Sequence, residues 1–224
     1  MIEARGITKH YNGIEVLKAV DLRINDSEIV SIVGDSGAGK TTLLQLLGTL
    51  DTPSSGEVLY DGKKIDEMSQ KQLANFRNQT IGFVFQFHQL LPEFTCVENV
   101  CMPALINGIS LKNAMPRAVE LLTYLGLSHR FEHKPSQLSG GEQQRCAVAR
   151  ALMNQPKIVF ADEPSGNLDS KNANELHQLF LNLRKDFGYS FVIVTHNEEF
   201  ANMADRKLIM KDGKIIETVE SRPI

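Results

Sequence analysis

From residue 14 to 24 apolar and polar residues alternate along the chain. That is the period of a strand with one buried face. Residues 1 to about 33 share this β character and close on Glu28-Ile29-Val30-Ser31-Ile32-Val33, an apolar run of the kind buried on both faces of a sheet. Residues 56–65 predict a hairpin turning at Asp61-Gly62. Residues 81–85 predict another short buried strand. From about residue 87 to 138 the character becomes helical, with Ala114, Ala118, Leu121, Leu122 and Leu125 on one helical face. Strand patterns return at residues 158–161 and 191–194, with an apolar-faced helix over 173–185 between them. Strand, helix, strand in that order implies a parallel sheet covered by helices, an α/β fold. There is no internal repeat, and residues 221–224 are expected to form a loose tail.

The buried run at 28–33 leads directly into Gly34 to Thr41, GDSGAGKT, a full match to G-x-x-x-x-G-K-[ST]. Glycine backbones at Gly34, Gly37 and Gly39 let successive N–H groups turn inward as an anion nest. Lys40 can reach outer phosphates, and the Thr41 hydroxyl can ligate magnesium. A helix over about residues 40–50 would point its positive end at the same phosphates. The expected ligand is therefore a nucleotide polyphosphate with magnesium. Residues 158–163 read IVFADE, so four apolar residues run straight into two carboxylates. Ligands of parallel sheets bind at the carboxyl ends of strands. Asp162 is thereby placed to hold magnesium through water, and Glu163 to orient or deprotonate an attacking water.

Residues 138–145 read LSGGEQQR. Ser139 and Glu142 form a capping box, and Gly140 and Gly141 leave the first turn open to a phosphate. One nucleotide has little use for two such helix starts in one chain. Two chains facing each other could sandwich ATP between one chain's phosphate loop and the other's capped helix.

Composition narrows the class. The 224 residues are 42% hydrophobic and 23% charged, enough for one large domain or a domain with a subdomain. A net charge of -3 gives no basic footprint, so no nucleic acid is expected as partner. No apolar stretch approaches bilayer-spanning length, and the N-terminus lacks a signal-peptide pattern. The three cysteines, Cys96, Cys101 and Cys146, show neither metal-ligand spacing nor an even disulfide set, so reduced thiols are expected, with Cys96 and Cys101 packed as small hydrophobes.

GDSGAGKT, LSGGEQQR and IVFADE, in this order, closely resemble the Walker A, signature and Walker B motifs of ABC-type ATPases, over essentially the whole chain. The resemblance implies a P-loop NTPase fold of the ABC type: a mixed sheet core with an N-terminal antiparallel β subdomain and an inserted α-helical subdomain. Residues 1–224 would be one ATPase domain, with 1–86 and 154–224 as nucleotide-binding core and 87–153 as helical subdomain. It implies ATP and Mg2+ as ligands. Gly34, Asp35, Ser36, Gly37, Ala38, Gly39, Lys40, Thr41 and Thr42 would hold the nucleotide. Tyr11 matches the aromatic residue stacked on adenine. Thr41, Gln86 and Asp162 match the magnesium set. Glu163, His196 and Gln86 match the catalytic residues, and residues 165–169 look like the D-loop. Ser139, Gly140 and Gly141 would complete the site of a second copy, in an ATP-dependent homodimer.

The resemblance also implies integral membrane permease subunits in separate chains, with this chain peripheral on the cytoplasmic face of a bacterial inner membrane. Residues 85–106, FQFHQLLPEFTCVENVCMPALI, are apolar for a loop at Phe87, Leu90, Leu91 and Phe94, and would dock the permease. They are similar to the branch holding the lipoprotein-releasing, macrolide-export and cell-division ATPases, and look closest to the lipoprotein-releasing ones. The other two remain alternatives at this point. Leu46 to Asp51 also fits that branch, although Thr49 stands where it commonly has glycine.

Overall fold

The computed structural model describes residues 1–220; the expected tail at 221–224 lies outside the described residues. Strands β1 (Ile2–Tyr11) and β2 (Ile14–Ile24) form a hairpin turning at Asn12-Gly13, with φ of 49° and 82°. Both turn residues at positive φ is what a type I′ hairpin requires. β4 (Ser55–Tyr60) and β5 (Lys63–Lys64) turn at Asp61-Gly62 as predicted. These four strands make one antiparallel sheet in the order β2-β1-β4-β5.

The second sheet joins β3 (Ile29–Gly34), β6 (Ile81–Phe85), β7 (Ile158–Asp162), β8 (Ser190–Val194), β9 (Arg206–Lys211) and β10 (Lys214–Glu220). Its order is β10-β9-β3-β8-β7-β6, and only the β10–β9 pairing is antiparallel. The helices are α1 (Lys40–Leu47), α2 (Gln70–Thr80), α3 (Cys96–Ile106), α4 (Leu111–Tyr124), α5 (Gly140–Leu152), α6 (Ser170–Phe187) and α7 (Glu198–Met203).

The period of two in the strands divides the core between the faces of the parallel sheet. Val159, Ala161, Phe191 and Ile193 face a cluster filled by α3, α4, α5 and α6. Ile158, Phe160, Val192 and Val194 face a second cluster with α1 and the antiparallel sheet. The helices between residues 87 and 153 therefore share an apolar cluster with α6 and the sheet. Cys96, Cys101 and Cys146 are buried and free, packed as small hydrophobes.

The helix after the phosphate loop is shorter than predicted. α1 stops at Leu47 in a Schellman close: Leu50 N–H donates to Gln45 O (2.9 Å) and Thr49 N–H to Leu46 O (3.1 Å). Thr49 occupies the left-handed position at φ 60°, where glycine is usual. α2 and the β9–β10 hairpin are additional elements that the pattern did not predict.

Candidate active site

The site forms where strands end together. Phe85, Asp162 and Val194 stand level across β6, β7 and β8, and Ile32 of β3 pairs with Val194. Gln86, Glu163, His196 and the 34–39 loop thus leave the sheet along one edge. β9 runs so close to the loop that a Cβ on Gly34 would lie 2.1 Å from the Met210 carbonyl oxygen. Gly39, at φ 97°, is the N-cap of α1, and a side chain there would collide with Leu17. Glycine at the cap leaves the first N–H groups of α1 to a ligand.

Lys40 is buried and curls over its own loop, donating to Gly34 O (2.7 Å) and Asp35 O (2.9 Å). Thr41 Oγ1 donates to Asp162 Oδ1 at 3.2 Å. Burial pushes the Asp162 carboxyl above the usual range, partly opposed by Thr41, Lys40 and His196. Glu163 is also pushed up by burial, against the opposing pull of His196. Its backbone is left-handed at φ 46°, fixed by its N–H on Val194 O (2.9 Å) and by Gly166 N–H on its own carbonyl (3.0 Å). The His196 N–H donates to Glu163 Oε2 (3.2 Å), and His196 Nε2 lies 3.1 Å from Oε1. Geometry denies that last pair a hydrogen bond, so Oε1 is a buried acceptor without a hydrogen-bond partner among the described residues. A buried polar atom of this kind calls for a ligand. It borders a cleft of about 390 Å³ lined by Ser36, Gly37, Gly39, Lys40, Thr41, Thr42, Glu163 and His196. Asp35 and Ala38 shape the loop beneath, with Ala38 N–H on Asp35 O at 3.2 Å.

A cleft of about 500 Å³ lies at the opposite ends of the strands. Its cations are already matched, Lys157 with Asp61 and Arg117 with Glu120, which leaves it less suited to an anion.

Tyr11, Gln86, Ser139, Gly140 and Gly141 are not among the residues lining the phosphate cleft. Tyr11 ends β1 with its hydroxyl on Asp51 and Lys9 Nζ 4.9 Å from its ring centre. Bonding to Asp51 pushes its pKa up to about 12. Gln86 Nε2 donates to Asn167 Oδ1 (3.1 Å), and Asn167 Nδ2 returns a bond to Gln86 O (3.2 Å).

Ser139 caps α5 in the predicted box with Glu142. Burial pushes the Glu142 carboxyl up, but the Ser139 N–H, the Arg130 guanidinium and the Ser139 hydroxyl outweigh it and hold it at about 2. Ser139 and Gly140 are exposed, while Gly141 is packed so that a Cβ would lie 2.4 Å from Asn172 Oδ1 at the start of α6. Two residues of α5 escaped the sequence reading. Gln144 donates to Phe85 O (3.3 Å), and Arg150 donates to Gln89 O (2.5 Å) and His88 O (2.8 Å). They tie α5 to residues 85–89.

That segment leaves Phe87 68% exposed, with Leu91 and Phe94 partly so, while Leu90 packs inward. Beside it runs a groove of about 500 Å³ lined by Phe83, Phe85, Leu91, Met102, Pro103 and Ile106, with Arg77 and Arg150. Buried Asn99 shapes its rim, accepting from Leu91 N–H (2.7 Å) and donating to Leu91 O (3.0 Å) and Phe94 O (3.1 Å).

A glycine-cornered phosphate loop, a threonine–aspartate pair and a glutamate at one edge of a parallel sheet define a P-loop ATPase. The ABC transporter family profile matches residues 17–166, and the chain belongs to that family of ATPases. It is 59% identical over 216 residues to the lipoprotein-releasing system ATP-binding protein LolD of Bacteroides fragilis, covering 96% of this chain and 100% of that protein. LolD of Cytophaga hutchinsonii is also 59% identical, covering 96% of this chain and 99% of its own length. Among solved structures, the dimeric post-hydrolysis state of the ATP-binding cassette MJ0796 bound to ADP and Pi aligns with a TM-score of 0.91 at 39% identity, covering 100% of both chains. Among the described residues, no helix is long and apolar enough to cross a membrane.

Proposed function

We propose that the chain is the ATP-hydrolysing subunit of a bacterial inner-membrane transporter that releases lipoproteins towards the outer membrane. One observation carries the reading: Lys40, Thr41 and a Glu163 oxygen without a hydrogen bond line one cleft, with Asp162 bonded to Thr41 beside it, in a chain closely related to LolD proteins. The 34–39 loop and Lys40 bind the polyphosphate, with Lys40 exchanging its carbonyl partners for phosphate oxygens. Hard oxygens at Thr41 and Asp162 suit magnesium, with Gln86 completing the set. Magnesium held there would neutralise charge on the nucleotide's phosphates. Glu163 Oε1 accepts a hydrogen bond from the attacking water and takes its proton, while His196 holds the other carboxylate oxygen. Burial raises the basicity of Glu163, as a general base needs.

Tyr11 stacks on the adenine. Ser139, Gly140 and Gly141, at a second glycine-opened helix start, contact the nucleotide of a second copy. In this reading 1–86 and 154–224 are the nucleotide-binding core and 87–153 the helical subdomain. Phe87, Leu91, Phe94 and the adjoining groove face a separate permease chain at the cytoplasmic surface.

Glu163→Gln is expected to keep ATP binding and to lower turnover by about 10²–10⁴, the scale of a lost general base. Near-normal turnover would sink the assignment. Lys40→Ala is expected to weaken ATP binding itself. Tagged Glu163→Gln, drawn from its own cell membranes in mild detergent, should bring a membrane-spanning permease and lipid-modified cargo. Recovery of a drug-efflux adaptor or a division-site protein instead would overturn lipoprotein release.

A further inference from the structure

His177 lies on the buried face of α6, a polar side chain among Ala173, Leu176, Phe180 and Leu183. It is only 3% exposed. Its ring stacks flat on Phe200 of α7, with centroids 3.9 Å apart and planes at 4°. Its Nε2 sits 3.0 Å from Ser165 Oγ. A histidine kept inside a core for one hydroxyl must hold that hydroxyl for a reason.

Ser165 is two residues beyond Glu163, inside the turn that Gly166 N–H closes on the Glu163 carbonyl. Glu163 at φ 46° is in a conformation that side-chain-bearing residues adopt only when their surroundings impose it. Two of the restraints are backbone hydrogen bonds at Glu163 itself. A third is the Ser165–His177 contact beneath the turn. α7, through Phe200, follows His196 by four residues, so the ring also bridges the segments that carry Glu163 and His196.

We propose that His177 is a positioning residue for hydrolysis: through Ser165 it holds the 163–166 turn, and so aims the Glu163 carboxylate. This rests on the ATPase reading above. His177 is buried and does not line the cleft; it acts on where Glu163 Oε1 points.

The test is steady-state ATPase kinetics of the purified full chain with magnesium-ATP, alongside thermal melting. His177→Phe keeps a ring on Phe200 and removes the nitrogen. Ser165→Ala removes the other half of the contact from outside the core. Each is expected to lower kcat about tenfold, the cost of a small misplacement of a reacting group, with KM and melting temperature nearly unchanged. The double variant should be no slower than the slower single variant, because both break one contact. Unchanged kcat in both singles, or multiplied losses in the double, would overturn the proposal. If His177→Phe melts early, the kcat of Ser165→Ala decides. Wild-type turnover that Glu163→Gln abolishes upholds the ATPase reading separately; a wild-type chain that binds ATP without hydrolysing it would overturn both.

Discussion

His177 and Glu142 tie stability to acid in two separate windows. Burial lowers His177 from its ordinary 6.5 to about 4. The unfolded chain therefore takes this proton first as pH falls. Stability from keeping the ring neutral is complete above about 6.5 and is lost as pH drops towards 4. The gap corresponds to about 3 kcal/mol. Glu142, held at about 2 against an ordinary 4.5, contributes fully above 4.5 and loses its contribution as pH falls towards 2. Urea midpoints measured from pH 7 to pH 3 should fall in both windows. His177→Phe should flatten the upper window only, and Glu142→Gln the lower. Profiles parallel to wild type in either variant would contradict the assignment for that residue.

At the scale of elements, the end of α1 sets two opposing effects against each other. A β-branched residue at φ 60° costs about 1–2 kcal/mol. Arg77 compensates, with Nε on Thr49 Oγ1 (3.1 Å) and a second nitrogen on Thr49 O (2.7 Å). Thr49→Gly relieves the backbone and loses one of these bonds, so its net effect should stay within about 1 kcal/mol. Arg77→Ala should cost about 1–3 kcal/mol in the wild type and less in the Thr49→Gly background. Denaturant titration of the four proteins measures that coupling. A coupling of zero would mean that Arg77 does not support the turn.

The same turn shows why sequence reading erred there: a threonine stands where the stop signal is normally glycine. Strands β2, β6, β7 and β8 were legible because burial writes a period of two, or an unbroken apolar run, into the chain. α2 was not, since no residue of it is fully buried. Asn12-Gly13 and Asp212-Gly213 were readable turn signals that flank two hairpins, yet β10 is so exposed that alternation is lost. In the site, Lys40, Thr41, Asp162 and Glu163 were legible because their motifs are contiguous. The left-handed Glu163 and its His177 support were not, because contacts between distant segments create them.

In the proposed reading the whole molecule carries two half-sites, and the second is completed by another copy. Ser139 and Gly140 are exposed at the start of α5 and do not line the cleft of Lys40 and Glu163. A net charge of -3 on each copy gives no general attraction between two chains. Nucleotide contacts would supply the association, and ATP favours the dimer only by as much as it binds the two-chain site more tightly than one chain alone. Glu163→Gln is accordingly expected to sediment as a dimer with saturating magnesium-ATP and as a monomer with ADP or without nucleotide. Ser139→Arg, added to Glu163→Gln, puts a long side chain where the second copy's phosphates would lie. It should leave ATP affinity of the monomer unchanged and abolish the dimer. A dimer that forms equally well with Ser139→Arg would mean that α5 does not face the partner's nucleotide, and the two-chain site would have to be rebuilt from other residues.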